Sequence, residues 1–464
     1  MKQLRSRIKL VAVILLCCLL AVGGWVAVSM DQNGSRLVNS AYNRRLREAR
    51  STTKMGAVYD RSGVVLAESK TAGTRSYSSD RALRRAVSQT VGDQMMQSST
   101  GVELFHASEL LGLNGLRLKQ IGRLLTGREK TGNDLHLTID AGLSKTVSKL
   151  MQDYKGAVTV YNYKTGEILL MVSTPDYDPA EINEGGEAEA DSAYLNRVLQ
   201  GQYPPGSVFK IVVLLSALEN IPGITKETFT CTGALEYDGG VMTCAGNAVH
   251  GDLTLKQAFS KSCNIAFASI ARRLGPEKLL ATAEKLGFND DFLFDDIILY
   301  TSELPSDIAA DSELVQTGIG QGRVLVTPLH MAMIAGAVAN GGRMMEPALI
   351  RSSAGAPKLY RQIMSGDNAL TIAKYMRDVV ENGTGTRAKL RNYSDGYVCG
   401  KTGSAEASND KTAKTHAWYV GFLYGDDEHP YSIAVVLEHA GSGGQAAATI
   451  ASKTLRYVID NDIK

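Results

Sequence analysis

The stretch Pro204-Pro205-Gly206-Ser207-Val208-Phe209-Lys210 places a hydroxyl and an amine three residues apart, where a helical pattern begins. Proline and glycine end the preceding segment, and apolar residues at helical spacing follow over residues 211–218. Residues three apart share one face of a helix, so the Lys210 amine is predicted to lie beside the Ser207 hydroxyl. That arrangement suits an amine that deprotonates a serine nucleophile.

Ser-x-x-Lys is a weak pattern on its own. Average composition gives about two matches by chance, and this chain has four, beginning at Ser6, Ser51, Ser207 and Ser408. Of these, only the match at Ser207 precedes two further polar motifs within one domain.

The second motif is Ser262-Cys263-Asn264, the only Ser-x-Asn sequence in the chain. It lies inside a helical apolar pattern over residues 255–270. The hydroxyl of Ser262 and the carboxamide of Asn264 are suited to relaying a proton and binding a substrate amide. The structural alternative is a hydrogen-bonded polar pair in a helix connection.

The third motif is Lys401-Thr402-Gly403-Ser404, which follows a strand-like apolar run over residues 396–399. Lys-Thr-Gly also occurs at Lys130 and Lys164, in a linker and in a predicted hairpin loop. A lysine and hydroxyls on an edge strand can bind a carboxylate, and glycine lets a ligand approach the backbone.

The N-terminus predicts a membrane anchor. Four basic residues precede an uncharged run over residues 10–30, which is about the length of a bilayer span. Basic residues favour the cytoplasmic side, so we predict a cytoplasmic tail (1–9), an anchor (10–30) and an extracytoplasmic remainder. A cleaved signal peptide is the alternative, since Ala27 and Ser29 are small residues at suitable spacing.

Composition and charge exclude other classes. The 464 residues, 44% of them hydrophobic, can form two or three domains with a sizeable core. The formal charge of +2 shows no basic excess of the kind that accompanies nucleic-acid binding. The seven histidines show no metal-ligand spacing, so neither a metal nor another cofactor is expected.

The chain after the anchor divides into two predicted parts. Residues 31–133 are predicted to form a stem and a small, extended, non-catalytic pedestal, with a hairpin over residues 56–67. Residues 134–464 are predicted to form the catalytic domain. Its strand patterns come from both ends and its helical patterns from the middle, which indicates an α+β fold with a central antiparallel sheet flanked by helices, plus a helical subdomain.

Cys231 and Cys244 flank a turn-rich segment. Outside the cytoplasm they could pair as a disulfide, which would restrict the unfolded chain. Two free thiols on neighbouring strands are an equally good interpretation, and the sequence leaves the choice open.

Taken together, the three motifs resemble the signature of the penicillin-recognising serine transferases, and within them the class B penicillin-binding proteins. Further stretches carry the same resemblance: Leu137-Thr138-Ile139-Asp140, Gly320-Gln321-Gly322, Gly383-Thr384-Gly385 and His416-Ala417-Trp418-Tyr419-Val420-Gly421-Phe422. The chain departs from the family pattern at Cys263, where serine or aspartate is common, and at Ser404, where threonine is usual.

The resemblance implies a peptidoglycan D,D-transpeptidase that crosslinks stem peptides ending in D-Ala-D-Ala and is inactivated by β-lactams. It implies that Ser207 is the nucleophile and Lys210 its base, that Ser262 passes the proton to the leaving amine, and that Asn264 holds a substrate amide. Alternatives are a D,D-carboxypeptidase, or a non-crosslinking β-lactam sensor or structural component of a wall-synthesis complex.

The resemblance also assigns the lysine motif and a partner. Lys401 belongs to the catalytic set, and Thr402, Gly403 and Ser404 bind the substrate, with backbone N–H groups of Ser207 and Ser404 as the oxyanion hole. A membrane-embedded glycan polymerase is the implied partner.

Overall fold

The computed structural model describes residues 2–38, 43–113, 130–190, 192–238, 240–351, 356–406 and 414–464. Its helices are α1 Lys2–Val38, α2 Arg44–Thr52, α3 Arg81–Ala86, α4 Ser88–Val91, α5 Val102–Phe105, α6 Ala107–Leu110, α7 Ala141–Met151, α8 Pro179–Asn183, α9 Lys210–Asn220, α10 Leu255–Ser260, α11 Asn264–Lys285, α12 Asp311–Thr317, α13 Pro328–Ala339, α14 Gly366–Asn382 and α15 Ala446–Asp460.

The strands of the described residues are β1 Val58–Tyr59, β2 Val65–Glu68, β3 Ser76–Tyr77, β4 Leu135–His136, β5 Gly156–Asn162, β6 Ile168–Thr174, β7 Thr228–Cys231, β8 Ala234–Tyr237, β9 Gly240–Thr243, β10 Gly251–Thr254, β11 Arg343–Met345, β12 Leu359–Gln362, β13 Tyr397–Ala405, β14 His416–Tyr424 and β15 Tyr431–Leu437. Short 3-10 helices lie at Gly206–Phe209, Ile224–Lys226, Ala245–Asn247 and Thr386–Ala388.

A five-stranded sheet of order β13-β14-β15-β5-β6 forms the centre of the C-terminal part of the chain, which begins just before β5. Each neighbouring pair of strands is antiparallel. Strands β5 and β6 come from the start of this part and β13 to β15 from its end. The predicted α+β class with a central antiparallel sheet is therefore confirmed. The lysine motif lies on β13, which is an edge strand as predicted.

Helices cover both faces of this sheet, because its strands bury side chains on both sides. Along β15, Ile433 and Val435 join one hydrophobic cluster with α7 and α15, while Ala434 and Val436 join a second cluster with α9, α11, α13 and α14. This alternation follows from the two-residue repeat of a strand. Helix α13 packs directly on β5, β14 and β15.

The helices of the second cluster form the helical subdomain that brings the three motifs together. Helix α9 packs on α11, α10 packs on α14, and α14 packs on β13. The start of α9, the junction between α10 and α11, and strand β13 are thereby brought into one region, although they are far apart in the sequence.

The N-terminal part has its own small sheet, of order β3-β2-β1-β4. The predicted hairpin is confirmed, because β1 pairs antiparallel with β2. Strand β4 pairs parallel with β1 and leads into α7. A buried ion-pair cluster supports this region, in which the Glu103 carboxylate receives hydrogen bonds from Arg50 and Arg75.

Helix α1 is the one helix of the described residues that is long and apolar enough to cross a membrane, over Lys9–Val26. The apolar side chains of this window that the structure describes, such as Leu15 and Leu19, are exposed rather than packed on the protein. An apolar helix with no protein core around it suggests a single-pass membrane anchor.

Candidate active site

Ser207 lies in a tight 3-10 turn, residues 206–209, that leads directly into α9. Gly206 has a φ of +55°, and a Cβ there would lie 2.7 Å from the Ser404 carbonyl oxygen. Its N–H donates to the Gly320 carbonyl at 2.8 Å. Glycine is required at position 206 for two reasons. The residue has a left-handed φ, and it packs between the backbones of Ser404 and Gly320. The half-buried Ser207 side chain is thereby fixed beside the edge strand.

Lys210 begins α9 and its side chain is fully buried. Its Nζ donates to the Ser262 carbonyl at 2.8 Å, to Ser262 Oγ at 3.2 Å and to Asn264 Oδ1 at 2.8 Å. All three acceptors are uncharged. Burial therefore dominates and lowers the pKa of Lys210 to about 7, against a smaller opposing electrostatic effect of Cys263 and Cys244. A large fraction of this amine is neutral near pH 7.

Lys401 on β13 approaches the same hydroxyl from the other side. Its buried Nζ donates to Ser262 Oγ at 2.9 Å and to the Thr402 carbonyl at 2.9 Å. Burial, and next the charge of Lys210, lower the pKa of Lys401 well below its usual value. Two ammonium groups on one hydroxyl repel each other, so the pair favours states in which one amine is neutral.

Ser262-Cys263-Asn264 forms a break between two helices. The helical apolar pattern over residues 255–270 is interrupted here, since α10 ends at Ser260 and α11 begins at Asn264, and the motif lies in a helix connection. Ser262 adopts a left-handed φ of +58°, which costs about 1–3 kcal/mol for a residue with a side chain. Strain of this kind is maintained where the surrounding structure fixes it, and here it turns Ser262 Oγ towards both amines.

The lysine-motif strand carries two hydroxyls, those of Thr402 and Ser404, beside the Ser207 turn. Thr402 Oγ1 lies 2.5 Å from Thr384 Oγ1, and exposed Ser404 accepts a hydrogen bond from the Gly443 N–H at 3.3 Å. A Cβ on Gly403 would lie 2.9 Å from the Pro205 carbonyl oxygen, so this glycine is needed for close packing. Thr384 was not among the predicted site residues; its signal was the Gly383-Thr384-Gly385 stretch.

Sequence reasoning also missed the support behind the Ser207 turn. Trp418 Nε1 donates to the Pro204 carbonyl at 3.0 Å, which holds the start of the turn against β14. Tyr203 packs edge-on against Trp418, and its hydroxyl donates to Glu438 at 2.9 Å. Glu438 also pairs with buried Arg197 at 2.8 Å. These residues position the turn, and their sequence pattern does not distinguish them from ordinary core residues.

The structure thus brings the predicted residues together. The hydrogen-bonded set joins Lys210, Ser262, Asn264 and Lys401, while Thr402, Gly403 and Ser404 lie on the strand beside the Ser207 turn. Of the other Ser-x-x-Lys matches, Ser51 is exposed near the end of α2 and Ser408 is outside the described residues.

One group in the described part of the chain has the spacing of metal ligands. It consists of three thiols and an imidazole directly behind the Ser262 break: Cys231, Cys244, His250 and Cys263. The described cysteines are free thiols, and Cys231 Sγ and Cys244 Sγ lie 3.7 Å apart.

An amine that is neutral near pH 7 and follows a serine by one helical turn can activate that serine for acyl transfer. The fold and the site together are therefore those of a serine acyltransferase.

Comparison with known proteins narrows this class. Residues 156–456 match the family model of the penicillin binding protein transpeptidase domain. The peptidoglycan D,D-transpeptidase PbpA of Mycolicibacterium smegmatis is 31% identical over 406 residues, which cover 77% of this chain and 79% of the relative. The peptidoglycan D,D-transpeptidase MrdA of Haemophilus influenzae is 27% identical over 423 residues, which cover 78% of this chain and 62% of the relative.

A solved relative has the same fold. The ceftriaxone acyl-enzyme complex of penicillin-binding protein A from M. tuberculosis superposes with a TM-score of 0.78 at 26% identity, covering 88% of this chain and 99% of that one. The chain belongs to the penicillin-binding protein transpeptidase family, as a class B penicillin-binding protein. The predicted family and the predicted serine D,D-transpeptidase activity are confirmed.

Proposed function

We propose that this peptidoglycan D,D-transpeptidase acts through Ser207. Ser207 Oγ attacks the carbonyl of the penultimate D-Ala of a stem peptide, an ester bond to the enzyme forms, and the amide bond to the terminal D-Ala breaks. The observation that carries the proposal is the buried array in which the Lys210 and Lys401 amines share the Ser262 hydroxyl.

Lys210 is the proposed base. It lies one turn after Ser207, and burial leaves much of its population neutral near pH 7. The proton taken from Ser207 passes through the Ser262 hydroxyl to the nitrogen of the departing D-Ala. Because Ser262 lies within hydrogen-bond distance of both amines, Lys401 can stabilise the charge that moves through it.

The proposed oxyanion hole combines the N–H groups of Ser207 and Ser404. In a strand, the N–H and C=O of one residue point to the same side. The Ser404 carbonyl lies against Gly206, so the Ser404 N–H also faces the Ser207 turn. Each such donor contributes about 3 to 4 kcal/mol to transition-state stabilisation.

The terminal carboxylate of the substrate is proposed to bind the hydroxyls of Thr402 and Ser404 along β13. The contact between Thr384 and Thr402 supports this assignment, because it directs a second hydroxyl to the same place. Asn264 Oδ1 and Nδ2 are held by Lys210 and by the Thr243 carbonyl, which fixes the carboxamide at the cleft wall. β-Lactams are proposed to acylate Ser207 in place of the stem peptide.

The ratio of amine-transfer product to hydrolysis product shows whether an amine or water accepts the acyl group. Purified full-length chain is given a model peptide ending in D-Ala-D-Ala together with an amine acceptor, and both products are counted by mass spectrometry. A transpeptidase yields the amine-transfer product in excess over hydrolysis. If water is the sole acceptor at saturating amine, the chain is a D,D-carboxypeptidase; if no D-Ala is released, the sensor or structural alternative holds.

The pH dependence of acylation follows from Lys210. A base acts only when it is neutral, and an amine is neutral above its pKa, which burial lowers to about 7. We expect acylation by fluorescent penicillin to rise about tenfold per pH unit below this value and to level off above it. Rates between about pH 5 and pH 9, with melting curves at each pH to confirm folding, measure this. A rate that is flat or falls on passing through pH 7 contradicts the assignment.

The arrangement in the membrane is proposed as predicted from the sequence. Residues 1–9 are a cytoplasmic tail, residues 10–30 the anchor, residues 31–133 the stem and pedestal, and residues 134–464 the extracytoplasmic transpeptidase domain. The exposed apolar surface of α1 supports this order. Protease added outside intact cells should digest the catalytic domain, and full protection would contradict the topology.

A membrane-embedded glycan polymerase is the proposed partner. The anchor and the N-terminal small sheet are the parts of the chain not used by the acyl-transfer site, and they remain available for such a contact. Co-purification of the full chain from detergent-solubilised membranes tests this proposal. Recovery without any polymerase, under conditions that preserve known membrane complexes, would contradict it.

A further inference from the structure

Three thiols and an imidazole converge behind the catalytic cleft. Cys231 ends β7, Cys244 follows β9, His250 precedes β10, and Cys263 caps the start of α11. Their ligand atoms all lie within 4.8 Å of one another. We call these four residues the Cys3His cluster. The ends of four separate elements therefore bring three thiol sulfurs and one imidazole nitrogen close together.

Three of the six ligand-atom distances within the cluster are close to those of a tetrahedral metal site, and all six are at most 4.8 Å. Bonds of about 2.3 Å to sulfur and about 2.0 Å to nitrogen place tetrahedral ligands about 3.8 Å apart for two sulfurs and about 3.5 Å apart for sulfur and nitrogen. The Sγ–Sγ distances are 3.7 Å for Cys231 and Cys244 and 3.8 Å for Cys244 and Cys263. Cys231 Sγ lies 3.4 Å from His250 Nδ1.

A disulfide explains the cluster less well. A disulfide bond places its sulfur atoms about 2.05 Å apart, whereas both close pairs here are separated by van der Waals distances. Pairing any two of the cysteines would also leave one thiol and the imidazole unused at the same point. A metal ion accounts for all four donors.

We propose that the Cys3His cluster binds one Zn²⁺ ion through the three cysteine thiolates and His250 Nδ1. Thiolate and imidazole donors in tetrahedral arrangement favour zinc among the common cellular metals, and four protein ligands leave no open position for substrate. The three cysteines are buried and His250 is half-buried, so the site is closed. The zinc is structural, and its binding releases the thiol protons to solvent.

The position of the ion gives it a role in the active site. Cys263 lies between Ser262 and Asn264, and Asn264 Nδ2 donates to the carbonyl of Thr243, the residue before Cys244. A metal bound to Cys263 and Cys244 therefore holds the strained Ser262 break from behind. The ion touches no reacting atom, so it is a positioning element rather than a catalytic one.

No metal was expected from the sequence, because the seven histidines show no metal-ligand spacing and Cys231 and Cys244 were interpreted as a disulfide or as two free thiols. Zinc motifs are recognised by pairs of ligands a few residues apart. Here the fold, and not a local motif, brings the ligands together.

Metal analysis of the full-length chain in detergent is the direct test. We expect about one zinc per chain by mass spectrometry of the metal content, and a thiolate-bound tetrahedral Co²⁺ absorption spectrum after exchange with cobalt. Cys231→Ala and His250→Ala should each lower the zinc content to a small fraction. Cys399→Ala is the matched control, because it removes another buried thiol outside the cluster and should keep the metal.

Measurements on the unchanged chain decide the question even if a variant misfolds. A chain purified without reductant that contains no stoichiometric metal, or whose intact mass shows a Cys231–Cys244 disulfide, overturns the proposal. The metal count does not depend on catalysis, so its failure is distinct from failure of the proposed function.

The positioning role has its own readout. Removing the metal with a chelator should slow acylation by fluorescent penicillin at least about tenfold, and added Zn²⁺ should restore it. An unchanged acylation rate in fully metal-free protein overturns the positioning role.

Discussion

Replacing Ser207 by alanine is expected to abolish covalent labelling by fluorescent penicillin and to stop release of D-Ala. The loss is on the order of 10⁴-fold or more, because no acyl-enzyme can form without the hydroxyl. The Ser207→Ala side chain fits the same turn, since Gly206 rather than the serine carries the left-handed conformation there. The measurement is gel fluorescence after labelling, together with D-Ala release.

The matched control for this variant is Ser51→Ala. Ser51 begins another Ser-x-x-Lys sequence, and it is exposed on α2, away from the cleft. Labelling of that variant should equal that of the unchanged chain, and both variants should melt at the same temperature. Persistent labelling of a folded Ser207→Ala chain would refute the nucleophile assignment.

The second large effect is expected at Lys210. Lys210→Met keeps the length of the side chain in its buried site but removes the amine, and acylation should fall by about 10² to 10⁴-fold. Lys210→Arg should lose as much, because a guanidinium remains protonated and cannot act as a base. Equal losses in the two variants separate base catalysis from simple charge stabilisation.

Stopped-flow acylation rates measure this effect, and Lys226→Met on an exposed turn is the control. The control should retain the full rate. If Lys210→Arg acylates within about tenfold of the unchanged chain while Lys210→Met does not, positive charge rather than proton transfer is the function of Lys210.

The sheet and its edge strand were predictable from the sequence. The strand patterns of β5, β6, β14 and β15 are continuous apolar runs, and such runs are typical of strands buried on both faces. The apolar patterns beside the motifs predicted Lys401 on a strand and Ser207 just before a helix. The structure has both residues in these places. Site residues that belong to short motifs can be predicted from the sequence because they are adjacent in the chain.

What the sequence did not reveal depends on backbone conformation and on long-range contact. The helix break at Ser262 could be named only as an alternative, because a left-handed serine leaves the apolar periodicity around it unchanged. Thr384 and the Cys3His cluster were missed because their partners lie on other elements of the fold and not within one short motif. A helical pattern reports which face is buried, and it does not report which polar groups meet across the fold.

These contacts link the fold to the chemistry. Packing of α9, α11 and β13 buries two lysines around one hydroxyl, and the same burial lowers the pKa of Lys210 towards neutrality. The free energy of burying the amines is offset by the packing of the helical subdomain around them. A side chain that stabilises this packing therefore also helps to keep the pKa of Lys210 low.

Peptide mapping of the penicillin-labelled chain would identify the nucleophile. The full-length protein is acylated, digested and sequenced by tandem mass spectrometry to locate the residue that carries the penicilloyl group. The account predicts a single adduct on Ser207, within the peptide that contains Pro204, Pro205 and Gly206. An adduct on Ser262 or Ser404, with Ser207 unmodified, would contradict it.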